Sequence, residues 1–311
     1  MPGSDEQSIT ATKQPWWRPR PWHRQAFQVL RAVLALLIIA ILATKLRSIG
    51  WAQTWAFLPE HAGFYLATAI GFVIYPATEV MIYKSLWGTG WPSITAFIRK
   101  RAYNELVFNY SGEVFLMAWA RENIQRTDKE LFSNIKDVNL LSGFISSAIT
   151  LALLGALIVS EQGAAFLALN QSGNELALPV TIIALSMMLI FVFRRRLFAL
   201  AGPQVLVISG WHVARGMAML LLQVAQWSFA LPDVPAANWL TFLTVQMLLT
   251  RLSFLPNQDV LFMWVGIAMA QLISAPEAAV TSMFVAAGTL SVVVQIAAFV
   301  LTTRFGRKPA V

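Results

Sequence analysis

Leu106-Val107-Phe108-Asn109-Tyr110-Ser111-Gly112-Glu113-Val114-Phe115-Leu116-Met117 is an apolar stretch broken at its centre by polar residues. Leu252-Ser253-Phe254-Leu255-Pro256-Asn257-Gln258-Asp259-Val260-Leu261-Phe262-Met263 has the same plan. At an offset of 146 the two share the pattern L-x-F-x-x-x-x-[ED]-V-x-x-M, which sets Glu113 opposite Asp259. Hydrocarbon does not tolerate exposed broken backbone, so such segments must be buried in protein or line a wet cavity. Both read as re-entrant helical hairpins, one over about 102–118 and the other over about 239–274: helix in, polar turn, helix out.

The flanks settle that these hairpins sit in a membrane. The chain has 311 residues, 57% hydrophobic and only 12% charged. Soluble domains carry about 25% charged residues. Six apolar runs reach the length of about 20 residues that a bilayer-spanning helix needs: about 28–44, 62–83, 138–160, 176–193, 209–231 and 277–302. The polar lead before the first run and its weak cleavage context argue against a signal peptide. Shifting 62–83 by 146 gives 208–229, close to the fifth run. Shifting 138–160 gives 284–306, close to the sixth.

Orientation follows from Lys and Arg, which concentrate on the cytoplasmic side. With the N-terminus inside and strict alternation, 20 of the 23 basic residues fall on one face. The exceptions are Lys45, Arg47 and the intramembrane Arg251. Arg99-Lys100-Arg101 and Arg194-Arg195-Arg196 count as cytoplasmic loop charges on this reading, with attraction to anionic lipid second. Both termini are cytoplasmic. The net charge of +8 therefore marks a membrane face, not a nucleic-acid surface. Trp51, Trp55, Trp87, Trp91 and Trp239 fall at headgroup level, where indoles accumulate, whereas Trp227 and Trp264 read as core. Segment 119–136 reads as one amphipathic helix at the cytoplasmic interface.

Alternation also makes the hairpins enter from opposite sides. The expected fold is an all-α polytopic membrane protein of about six transmembrane helices plus two re-entrant hairpins in an inverted repeat, a transporter architecture. A basic cytoplasmic segment 1–27 precedes a single transmembrane domain 28–303, with halves at about 62–160 and 208–303. A basic tail, 304–311, follows.

Intramembrane charge is costly and points to function. The candidate substrate-binding residues are Glu113, Asp259, Arg251, Glu105, Asn104, Asn109 and Asn257. Glu113 and Asp259 suit a cationic headgroup, proton exchange or a helix N-terminus. Glu105 and Arg251 align at the offset with opposite charges and could pair; alternatively Arg251 forks onto phosphate oxygens. The asparagines contact headgroups or satisfy broken backbone. Glu79, His212 and Arg215 lie near span ends, where side chains snorkel to water cheaply.

Zinc-protease and P-loop motifs are absent. The three histidines, His23, His61 and His212, lack metal-ligand spacing. With no cysteine the chain has no disulfide or thiolate site. No enzymatic activity, cofactor or metal is expected.

The Asn104…Gly112-Glu113 segment, between a basic loop and a polar linker, together with Pro256…Asp259, resembles the lysylphosphatidylglycerol synthase transmembrane-region family of flippase-like proteins. Phe108 and Tyr110 stand where family members tend to have a proline and an arginine. Lysyl transfer is not expected from the resemblance, because these residues carry no counterpart of the family's soluble aminoacyl-transferring domain. The resemblance implies translocation or handling of an amphipathic phospholipid or glycolipid in envelope biogenesis, in a bacterial cytoplasmic membrane. Its partners would be membrane lipids, including anionic headgroups, and a lipid or polysaccharide biosynthetic enzyme. Two alternatives stay open: a solute or proton-coupled secondary transporter, and a non-transporting accessory subunit of a lipid or polysaccharide synthase.

Overall fold

A computed structural model describes residues 55–106, 110–161, 163–164, 174–251, 262, 265–267, 269–273 and 275–305. They belong to the compact unit Leu46–Val311. The first expected span, the basic N-terminal segment, Asn109, and the Asn257–Asp259 turn lie outside the described residues.

Eight helices of twelve or more residues make up the described fold: α1 Ala62–Trp87, α2 Ile94–Leu106, α3 Ser111–Asn123, α4 Asp128–Ile158, α5 Asn174–Leu197, α6 Gly202–Ala230, α7 Trp239–Thr250 and α8 Glu277–Phe305. Short 3-10 turns precede α2, α7 and α8. No strand occurs among the described residues. Four helices, α1, α4, α6 and α8, are long and apolar enough to cross a membrane. They fall on the expected runs 62–83, 138–160, 209–231 and 277–302. The run 176–193 lies on α5, which ends in Arg194, Arg195 and Arg196. Helix α8 continues to Phe305, past the expected start of the tail at 304.

Local chemistry sets the helix ends. The His61 imidazole accepts a hydrogen bond from Gly63 N at the start of α1. Gly88 stops α1 in the left-handed conformation (φ 71°) and donates to the Lys84 carbonyl. Only glycine reaches that conformation without a Cβ penalty. At the start of α4 Thr127 and Glu130 form a reciprocal capping box. This cap corrects the expectation of one amphipathic helix over 119–136. The chain breaks at Ile124–Thr127, ending α3 and starting α4 anew. Leu131 and Ile135 are buried in the core, while Phe132 is exposed. Helix α4 is about 46 Å long at 1.5 Å per residue, well over the roughly 30 Å hydrocarbon thickness.

The surface is apolar where a soluble protein's would be polar. Leu66, Ile70 and Val73 on α1, Met188 and Val192 on α5, Leu206, Val213 and Leu221 on α6, and Val293, Ile296 and Val300 on α8 are all exposed. Their spacing, three to four on α1, α5 and α8 and seven to eight on α6, marks continuous helix faces. Exposed faces of this kind are consistent with a bilayer as the solvent. The inside holds the polar exceptions: Glu79, Lys100, Asp137, His212, Arg215 and Gln226 are buried.

Helix α1 packs along α6. His61 stacks on Phe229 at 4.5 Å, the Gln226 amide donates to Thr68 Oγ1 at 2.6 Å, and Arg215 lies on Tyr75. Residue numbers rise on one helix as they fall on the other, so the two run antiparallel. A core of Val80, Tyr83, Leu86, Phe97, Leu116, Leu131, Ile135 and Ile208 joins α1, α2, α3, α4 and α6. Trp227 packs with Trp239, Phe242, Phe262 and Phe284. Trp227 is core as expected. Trp239, expected at the headgroups, is also fully buried, because it packs against the Trp227 and Phe242 rings. Trp87 is buried as well, against the Tyr83 ring, whereas Trp55 and Trp91 are exposed.

Candidate functional site

Helices α2 and α3 have 13 residues each. Each is about 20 Å long, too short to cross. They pack against each other as a helical hairpin. Its closure depends on Gly112. The Gly112 N–H donates to Asn104 Oδ1 at 2.7 Å, and the Ser111 hydroxyl donates to the Tyr103 carbonyl at 2.6 Å. A Cβ on Gly112 would lie 2.1 Å from the Lys100 carbonyl oxygen. Asn104 thus takes the second of its two expected roles, satisfying free backbone at the start of α3.

Tyr110, at the end of the turn, is left-handed (φ 69°) and largely exposed. An L-residue held there costs about 1 kcal/mol. Tyr110→Gly is therefore expected to leave stability unchanged or raise it by up to about 1 kcal/mol, read as the melting temperature in detergent. A clear fall would mean that the phenol makes a contact needed by the fold.

The hairpin brings three charges together. Lys100 from α2 lies between Glu79 of α1 and Glu113 of α3. Its ammonium hydrogen-bonds Glu79 Oε1 and approaches Glu113 Oε1 to 3.4 Å. Lys100 is only 4% exposed and Glu79 7%. The Tyr83 hydroxyl and Glu113 Oε2 are buried here without a hydrogen-bond partner. Two expectations are corrected. Lys100 is not a loop charge facing the cytoplasm, and Glu79 does not snorkel. Consecutive helical residues point about 100° apart, so Arg99, Lys100 and Arg101 reach different surroundings. Arg99 lies over the Phe115 ring at 4.9 Å.

Arg101 turns to α1. Pro76 has no N–H, so the carbonyl four residues earlier, Phe72 O, loses its helical partner. Arg101 Nη1 donates to that oxygen at 3.1 Å and to Gly71 O at 3.3 Å. The guanidinium also covers Phe72 and Tyr75, at 5.2 and 4.7 Å from the ring centres. The hairpin thereby mends a break in the neighbouring span.

Arg215 of α6 reaches the same Tyr75 ring, 4.3 Å from its centre. It is 7% exposed. It donates to Ser142 Oγ and to His212 Nδ1, both at 3.0 Å. Guanidinium groups only donate, so His212 Nδ1 accepts and the neutral ring carries its proton on Nε2. Neither residue snorkels, contrary to expectation. Arg215 is held between Ser142 of α4 and Tyr75 of α1, and it holds His212 in turn.

Arg251, at the C-terminal end of α7, lies within electrostatic range of Tyr75 and Tyr110. Its Nη2 donates to Thr250 Oγ1 at 3.2 Å, and its Nε is buried without a partner. Four ion pairs form among the described residues: Lys100–Glu79, Lys100–Glu113, Arg121–Asp128 and Lys136–Asp137. The considered Glu105–Arg251 pair is not among them. Glu105 instead acts electrostatically on Arg101, one turn back on α2.

Of the expected residues, the structure places Glu113, Asn104 and Glu105 on one hairpin, with Arg251 within electrostatic range of Tyr110. Glu79, Lys100, Arg215 and Tyr75 lie with them; the sequence alone reads Glu79 and Arg215 as span-end charges and Lys100 as a loop charge, and gives no role to Tyr75. A usable signal existed: Glu79 stands one turn after an intrahelical proline. No group of three metal-ligating side chains occurs among the described residues. Comparisons with family models, with curated proteins and with solved structures yield no match.

Proposed function

We propose that this chain moves an amphipathic lipid between the leaflets of a bacterial cytoplasmic membrane, as expected for the flippase-like family that its hairpin motif resembles. One observation carries the reading. A buried charge cluster and an exposed apolar tip share one helical hairpin. Glu113 reaches inward to Lys100, while Leu106, Tyr110 and Val114 around the turn are exposed. A substrate with a polar head and apolar chains matches that pairing. A water-soluble solute has no use for the apolar half.

The packing supports an inverted repeat at the sequence offset of 146. Shifted by that offset, α2 falls on α7 and α4 on α8, each within three residues at either end. Helix α2 packs on α8, and α7 packs on α4, as exchange of the halves requires. Tyr103 meets Phe299 in the first of these contacts; Leu248 and Leu154, one residue from the equivalent positions, share one core cluster in the second. The corresponding spans α1 and α6 run antiparallel, as opposite insertion demands. Asp259 would then occupy the place of Glu113 in the second hairpin. Cytoplasmic termini remain part of the proposal. Burial of Lys100 and Arg215 removes two basic residues from the charge count behind that orientation, and the tail and Arg194–Arg196 carry more of it.

The test is leaflet-selective lipid movement in proteoliposomes. Glu113→Gln and Asp259→Asn are each expected to slow it by on the order of tenfold, with reconstitution unchanged. Unaltered lipid movement in both variants, or uptake of a soluble solute without lipid movement, would overturn the reading.

A further inference from the structure

Glu79, Lys100 and Glu113 form one layer where α1, α2 and α3 meet. One turn along each helix stand Tyr83, Phe97 and Leu116, which share the main core cluster. Helices α1 and α2 run antiparallel here: Glu79 meets Lys100, while Tyr83 stacks on Phe97 with ring centres 5.2 Å apart. Helical side chains lean toward the helix N-terminus, so the fully buried Tyr83 tips toward the charged layer. It lies within electrostatic range of all three charges. Two polar atoms here are buried without a hydrogen-bond partner, the Tyr83 hydroxyl and Glu113 Oε2. Glu113 does not spend that oxygen on the start of α3, because Asn104 already takes the Gly112 N–H. Buried polar atoms are nearly always paired, so two unpaired on facing helices point to a shared ligand.

We infer that Glu113 and Tyr83 bind a hydroxyl group of the substrate, as a polyol headgroup presents. This names the headgroup chemistry of the lipid-moving reading and rests on it. Charge narrows the choice. A cation here would meet the Lys100 ammonium, and an anion the Glu113 carboxylate, in a medium of low dielectric. A hydroxyl is neutral and both donates and accepts. It donates to Glu113 Oε2 and accepts from the Tyr83 hydroxyl. Entry is from the hairpin tip: the Glu113 side chain is 15% exposed beside the exposed Tyr110 and Val114, whereas Tyr83 closes the inner end. The hydroxyl could belong to a lipid or to a free polyol, and the experiment separates the two.

The full chain in an uncharged detergent is titrated by native mass spectrometry with phosphatidylglycerol, with phosphatidylpropanol of the same acyl chains, and with glycerophosphoglycerol. The two lipids carry the same charge and differ only in the headgroup hydroxyls. Phosphatidylglycerol is expected to bind at least about tenfold more tightly. Tyr83→Phe is expected to remove most of that preference and to leave the melting temperature unchanged or higher, because it deletes a buried group that has no partner. Tyr65→Phe, whose hydroxyl donates to the Pro59 carbonyl, keeps the preference. Glu113→Gln is expected to weaken it severalfold, and carries the test if Tyr83→Phe does not fold. A preference kept in both variants, or a Tyr83→Phe protein that folds but melts clearly lower, overturns the site. Glycerophosphoglycerol bound as tightly as the lipid, and lost in Tyr83→Phe, sustains the hydroxyl site but overturns the lipid reading. Equal binding of the two lipids, in protein that still moves lipid, overturns the site and leaves the reading standing.

Discussion

Lys100→Met is expected to cost about 3–5 kcal/mol, the usual penalty for breaking a buried ion pair by removing one partner. Methionine fills similar volume, so packing is not the cause. The loss comes from Glu79 and Glu113, which would face each other without the ammonium that lies between them. Their repulsion acts across the joint of α1, α2 and α3, where the main core cluster is assembled. The double variant Lys100→Met/Glu79→Gln should therefore recover much of the stability, because one carboxylate is gone and the amide can hydrogen-bond. Melting temperature in detergent reads both changes, and the cycle isolates the coupling between the sites. If the single variant melts like the parent, Lys100 is not the keystone of this cluster. If the double variant is worse than the single, the cost lies in shape and not in charge.

Gly112→Ala is expected to be at least as damaging, by about 3 kcal/mol or more, as overpacking against rigid backbone allows no rotamer escape. The added Cβ would fall 2.1 Å from the Lys100 carbonyl and 2.8 Å from Asn104 Oδ1. The two hairpin helices must part, and the Asn104 bond to Gly112 N breaks with them. Gly143→Ala on α4 is the control: its Cβ would meet nothing within 4 Å, so helix propensity alone should leave it neutral or slightly stabilising. The informative result is the contrast. Equal melting of the two alanine variants would mean that the hairpin does not close as described. A selective loss for Gly112→Ala, accompanied by loss of lipid movement, links hairpin closure to function.

Much of the architecture was legible along the chain. Continuous apolar runs marked α1, α4, α6 and α8, because a span is defined by local composition and length. The polar interruption at Asn109–Glu113 marked a hairpin for the same local reason: broken backbone needs a partner. Gly112 and Asn104 belonged to that signal. Legibility failed where the outcome depended on remote partners. Arg99-Lys100-Arg101 looks like a loop charge cluster until α2 is known to be helical, after which its three side chains diverge. Thr127 and Glu130 formed a capping box that was open to reading, yet the apolar spacing across 119–136 obscured it. Trp239 was placed by its distance from a span end, although neighbouring rings decided its burial.

By itself, then, the sequence determined that this is a helical membrane protein, where its long apolar helices run, and that Glu113 lies beside a hairpin turn. Tertiary structure alone decided which charges meet. Lys100 finds Glu79 across 21 residues, Arg101 finds the carbonyls freed by Pro76, and Arg215 finds Ser142 across 73. The physical reason is that a span is specified by local transfer free energy, whereas the partner of a buried charge is specified by which helices pack together. Positions such as Glu79 and Arg215, cheap at the end of an isolated helix, become buried charges once neighbouring helices close over them.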